Sequence, residues 1–264
     1  MSPDMLFWLA LFIKMVVAAC FVVGATVTAE RVGPVIGALI ATLPVSAGPA
    51  YVFLALDHDP AFIARSALSS LALNGATAIY AATYVLLAQR HGFAVSVPLA
   101  FLAWLASVPV FVWLGPTTAS AILLNLAVFP IAYLVVRRFR NVPMPSNPLR
   151  WYDFAVRAAL VAALVGAVVG LSFRIGPAAT GVLAAFPVVF TSIMFILHFR
   201  VGGPAAAAVL ANAILGLAGF GMAVLTLHLL AEPLGSALAL ISALAVAVAW
   251  NLGLFTLRRA GIAA

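Results

Sequence analysis

Charge is what this chain has least of. Only 7% of its 264 residues are Asp, Glu, Lys or Arg, against about a quarter in a soluble domain. A water-facing shell cannot be built from so few, and a mean hydropathy of +1.25 makes the bilayer the expected solvent. Cysteine occurs once, at Cys20, which excludes an internal disulfide framework or a thiolate metal cluster. Lysine also occurs once, at Lys14, and the six acidic residues fall near the ends of apolar stretches. No paired carboxylates, P-loop, nucleophile elbow or HExxH pair is present. The four histidines show no metal-ligand spacing. An enzyme, a metal and a cofactor are therefore not expected.

What is there in abundance is apolar sequence, 66% of the residues. Runs of 18 or more apolar residues recur along the chain, each a candidate membrane-spanning helix. They do not alternate apolar with polar, as barrel strands would. The expected class is all-α and polytopic, with about nine spans: 5–29, 34–56, 62–88, 93–114, a fifth ending at Arg137, then 151–173, 177–199, 204–230 and 235–257. Val17-Ala18-Ala19-Cys20 is similar to a lipoprotein cleavage site, but Lys14 follows the apolar run instead of preceding it, which is wrong for a signal peptide. The net charge of +7 would suggest nucleic acid in a soluble protein; here most arginines sit between apolar runs, where they orient helices.

The chain contains one pattern twice. Arg31-Val32-Gly33-Pro34, with Pro44-Val45 ten residues beyond the proline, returns 143 positions later as Arg174-Ile175-Gly176-Pro177 and Pro187-Val188. In the same register Trp8 falls on Trp151 and Lys14 on Arg157. The reading is a duplication: residues 1–115 form the first four-helix repeat and 151–264 the second. Between them, 116–150 carry a lone fifth helix and a linker rich in Pro and Asn. With nine spans, Arg31, Arg90, Arg137, Arg138, Arg140, Arg150, Arg200, Arg258 and Arg259 share one side, while Arg65 and Arg174 lie on the other. That bias places the C-terminus in the cytoplasm and the N-terminus outside. An odd separator inverts the second repeat, the 4+1+4 inverted-topology build of many secondary transporters.

The matched prolines are the leading site candidates. Ten residues past Pro34 is about 15 Å of helix, near the middle of a ~30 Å core. Pro44 and Pro187 each remove the bond to the carbonyl four residues earlier. Broken helices at matching positions of an inverted repeat point to a substrate site at the midplane, with Ser46 and Thr191 as nearby hydroxyls. Lys14, ~13 Å into the first span, has no carboxylate at its depth in sequence, so its expected partner is a ligand anion, with Arg157 as a shallower second cation. Asn74 and Asn212, on the third spans of the two repeats, complete the candidate set. Asp57-His58-Asp59 reads as a solvated outer turn. Small-residue spacings such as Gly166–Gly170 read as close helix packing.

Residues 176–235, with a Gly-rich helix start, Ala184-Ala185-Phe186-Pro187 and then Gly202-Gly203, resemble the GlpM-like family of small bacterial inner-membrane proteins. Ala41-Thr42-Leu43-Pro44 is a weaker version of the same pattern. The resemblance implies two such four-span units fused through the fifth span, in a bacterial inner membrane. The histidine and acidic residue associated with that pattern are missing here. The functional expectation is a secondary transporter or flippase for an anionic, phosphorylated or lipid-linked substrate. The alternative is a non-transporting scaffold in envelope biogenesis. Expected partners are membrane lipids, the anionic substrate and, in a homo-oligomer, a second copy of the chain. A transporter should show a polar cavity reaching Pro44, Pro187 and Lys14.

Overall fold

The computed structural model describes residues 2–31, 47–114, 117–142 and 150–259. Every regular element among them is helical: α1 (Pro3–Arg31), α2 (Ala47–Asp57), α3 (Pro60–Leu87), α4 (Phe93–Trp113), α5 (Thr118–Val136), α6 (Trp151–Ala184), α7 (Val188–Val201), α8 (Gly203–Leu234) and α9 (Ser236–Arg259). Seven of these are long and apolar enough to cross a membrane; α2 and α7 are shorter. The protein is thus an all-α, multi-pass membrane protein by length and composition.

Local chemistry sets the helix ends. Asp59 caps α3 by accepting from the Phe62 amide at 2.8 Å, and Pro60 follows at the first helical position. Thr117 and Ser120 form a reciprocal capping box at the start of α5. At Gly176 α6 breaks, with φ 73° and ψ 175°, a conformation open to glycine and costly for other residues. Contacts show that the chain reverses there. Arg200, at the end of α7, pairs with Asp153, near the start of α6. Thirty-four residues of straight helix would extend about 51 Å, and α7 returns only about 21 Å. Reversal at Gly176 lets 177–184 and α7 run back alongside the first part of α6.

The register of 143 seen in the sequence reappears in the element boundaries. α3 begins at Pro60 and α8 at Gly203; α4 begins at Phe93 and α9 at Ser236. Counterpart helices also pack against each other, and they do so antiparallel. In the α3–α8 pair, Ala64 meets His228, Asn74 meets Leu217 and Ala88 approaches Gly203. In the α1–α6 pair, Leu11 lies against Gly170 and Met15 against Gly166. Asn74 and Leu217 are themselves counterparts, so α3 and α8 cross at equivalent points.

α3 lies at the centre. In its most apolar 18-residue stretch 72% of positions are buried, against 17–44% for the other long helices. Ser66, Ser69, Ser70, Asn74 and Thr77 on it therefore face protein rather than lipid, whereas Arg65 near its start is exposed. α1, α4, α5 and α9 instead present Phe12, Leu102, Leu126 and Ile241 outward, the surface a bilayer covers.

Candidate functional site at the helix break

Between α6 and α7 the helical bonding stops at Ala185–Pro187, as the proline predicts. Pro187 has no N–H for the Leu183 carbonyl, which accepts from Phe186 at 3.0 Å instead. Neighbouring carbonyls are met by hydroxyls from the polar stripe of α3. Ser70 donates to the Gly181 carbonyl at 2.7 Å and Thr77 to that of Ala185 at 3.3 Å. Thr191 donates to the Pro187 carbonyl at 2.8 Å, so its contact of 2.9 Å with Tyr80 has the tyrosine as donor. By the same logic Tyr51 donates to Ser70 at 2.7 Å. Lower on the stripe, Gly181 leaves no room for a side chain, since a Cβ there would stand 2.0 Å from the Ser66 carbonyl oxygen.

The break thus joins Pro187 and Thr191, both expected in the site, to Thr77 and Tyr80. One donor remains. Trp104 is buried against Phe186, with ring centroids 5.4 Å apart, and its indole N–H has no acceptor among the described residues. Together with the N-terminus of α7, whose dipole favours negative charge, it makes the break a place rich in donors without a formal charge. Ser66, Ser70, Asn74, Thr77, Tyr80 and Tyr84 lie three or four apart on α3, a stripe legible in the sequence that the proline argument overlooked. Tryptophan offered no comparable signal.

Other expected residues go elsewhere. Pro44 and Ser46 lie outside the described residues. Lys14 is not awaiting a ligand anion: its ammonium lies 2.6 and 2.5 Å from the two carboxylate oxygens of Asp57. Sequence depth misled because Asp57, at the end of a separate helix, is brought level with Lys14 only by packing. The supposedly solvated turn is therefore engaged. His58 stacks on Phe62 at 3.8 Å, and its Nε2 bonds to Ser172 at 2.7 Å. Burial is the largest influence on His58 and lowers its pKa, against the raising effect of Asp57 and Asp59; nearby Lys14 lowers it too.

Asn74 and Asn212 are not partners. Asn74 donates to Asn125 at 3.0 Å and to the Leu217 carbonyl at 3.2 Å. Asn212 accepts from the Arg140 guanidinium and donates to the Arg140 carbonyl, both at 3.0 Å. Arg140 is only 9% exposed. Arg157 sits one turn after the fully buried Asp153, which accepts from Arg200. Position 200 lies 143 beyond position 57, and both ion pairs tie a short helix, α2 or α7, to α1 or α6, with the charges exchanged and the partner on the long helix one turn displaced. The cavity at α2 also differs from expectation: it is apolar and is lined by neither Lys14 nor Pro187.

No protein-family model, curated protein or solved structure matches the chain.

Proposed function

We propose that this protein is a membrane transporter of the alternating-access class, built as an inverted repeat of four helices about the single helix α5. The observation that carries the reading is the antiparallel packing of counterpart helices, α3 on α8 and α1 on α6. If these helices cross the bilayer, the two-fold axis relating them lies in its plane, the arrangement from which two exchangeable conformations arise. Division of 177–201 at Pro187 supports the count of nine crossings, with the mid-span break as the level at which substrate binds. The two ion pairs fall at opposite ends of the bundle, Lys14–Asp57 beside the start of α3 and Arg200–Asp153 towards its end.

Lys14 no longer supports an anionic substrate. That part of the proposal rests on the α7 N-terminus and the Trp104 N–H, donors suited to a phosphate or other acceptor-rich head group on a small molecule or a lipid. The arginine bias supports a cytoplasmic C-terminus in a bacterial inner membrane, the location the GlpM-like resemblance also implies.

The test is reciprocal opening. Spin labels placed in pairs, one set spanning the α2–α3 turn and α6, the other spanning the α7–α8 turn and α6, are read by distance measurements in lipid nanodiscs. Two populations with opposite distance changes at the two ends are expected. A single rigid population at both ends would refute transport. It would favour the scaffold reading, on which the bonded break is merely a packed kink.

A further inference from the structure

The duplication supplies an internal comparison for the cavity beside α2. It has a volume of about 480 Å³ and lies between α1, α2, α8 and α9, within the usual range for small-molecule sites. The corresponding positions in the second repeat lie on α6, α7, α3 and α4 and carry larger side chains. There the chain has Phe190, Thr191, Tyr80 and Phe101; here it has Ala47, Gly48, Ala223 and Leu244. Tyr80 is fully buried at its plugged site, and Phe101 packs on Phe186 with centroids 5.8 Å apart. Exchanges in the other direction, Leu164 to Phe21 and Thr77 to Phe220, do not fill the space. Among the described residues, large side chains thus stand in one repeat at positions where small ones line a cavity in the other.

The chemistry of the hollow selects its occupant. Its walls are almost wholly apolar. The Tyr51 hydroxyl that could have made it polar is turned to Ser70, leaving the ring as wall. The rim residues Phe21, Val52 and Ile241 are 55%, 45% and 64% exposed on the face that the bilayer covers. Water gains no partners in such a space, and among the described residues its rim faces the hydrocarbon of a bilayer. We propose that this cavity binds a single hydrocarbon chain of a membrane lipid, entering sideways between α1 and α9. The proposal needs the chain to span a membrane, not to transport. On the transporter reading it places the tail of a lipid-linked substrate or of a regulatory lipid in the first repeat, with the head group towards one face.

The test uses the whole protein in nanodiscs containing phosphatidylglycerol with a photoactivatable diazirine at the end of one acyl chain. Adducts are mapped by mass spectrometry. Enrichment on peptides carrying Phe21, Val52 and Leu244 is expected, well above the lipid-facing control at Leu123 on α5. Ala223→Tyr and Gly48→Thr import the second repeat's residues, and the Cβ of Gly48 has open space around it. In each folded variant cavity labelling should fall to the level at Leu123, while Leu123 labelling stays constant. Competition by unlabelled phospholipid alone indicates an acyl chain; competition by a polyprenyl phosphate indicates an isoprenyl one. Wild-type labelling no stronger in the cavity than at Leu123, or cavity labelling that survives Gly48→Thr, overturns the proposal. Because labelling is read without flux, loss of reciprocal opening with intact labelling would remove the transporter reading alone.

Discussion

Lys14→Met separates two physical pictures of the first repeat. If Lys14 were a free cation awaiting an anion, removing it would leave stability unchanged or raised and abolish activity. Paired to Asp57, its loss instead orphans a carboxylate. At 2.5–2.6 Å and an effective dielectric of about 20, the gross attraction is ~6 kcal/mol, and desolvation offsets most of it. Removing one partner of a buried pair costs ~3–5 kcal/mol, and of an exposed pair ~0–1 kcal/mol. With side-chain exposures of 19% and 20%, the single variants Lys14→Met and Asp57→Asn should each lose about 2 kcal/mol, between those limits. The double variant Lys14→Met/Asp57→Asn should recover most of that loss, because no charge is left unmatched. The exchanged pair Lys14→Asp/Asp57→Arg should also be tolerated, since Arg200 and Asp153 already hold that polarity at the equivalent junction. The assay is a double-mutant cycle on reversible unfolding in mixed detergent micelles, with membrane expression in parallel. Additive effects, with the double variant as unstable as the sum of the singles, would refute the pairing as an energetic contact.

Gly181→Val should prevent folding, because a Cβ there meets the Ser66 backbone, whereas Gly166→Ala meets only the mobile end of Met15 at 3.0 Å and should be accommodated; yield of monodisperse protein reads both. Thr77→Val should cost about 1 kcal/mol by leaving the Ala185 carbonyl without its donor, measured by unfolding as above, with hydrogen exchange increasing at 183–188. His58, in the α2–α3 turn, titrates below its usual value. The unfolded chain therefore takes up its proton first on acidification, and stability should decline as pH falls through the ordinary histidine value towards the lowered folded one. His58→Gln should remove that component of the pH dependence, as followed by thermal melts across the range.

Much of the architecture follows from composition and spacing alone. Scarce charge and long apolar runs dictate membrane helices. The register from Arg31-Val32-Gly33-Pro34 to Arg174-Ile175-Gly176-Pro177 anticipates element boundaries 143 positions apart. Pro187 marks a place where the helix ladder loses an N–H, although Pro109 and Pro130 lose theirs inside continuous helices. These are local or periodic properties, carried by each segment itself. Partnership is not. Asp57 lies 43 positions from Lys14, and Arg200 lies 47 from Asp153; neither pairing is marked in the chain, because depth along one helix says nothing of what a neighbouring helix brings beside it. The pairing of Asn212 with Arg140 has the same cause. The hollow in the first repeat is the clearest case. Ala47, Gly48 and Ala223 are ordinary small residues in an apolar sequence, and only the packing of α1, α2, α8 and α9 decides that their missing volumes coincide.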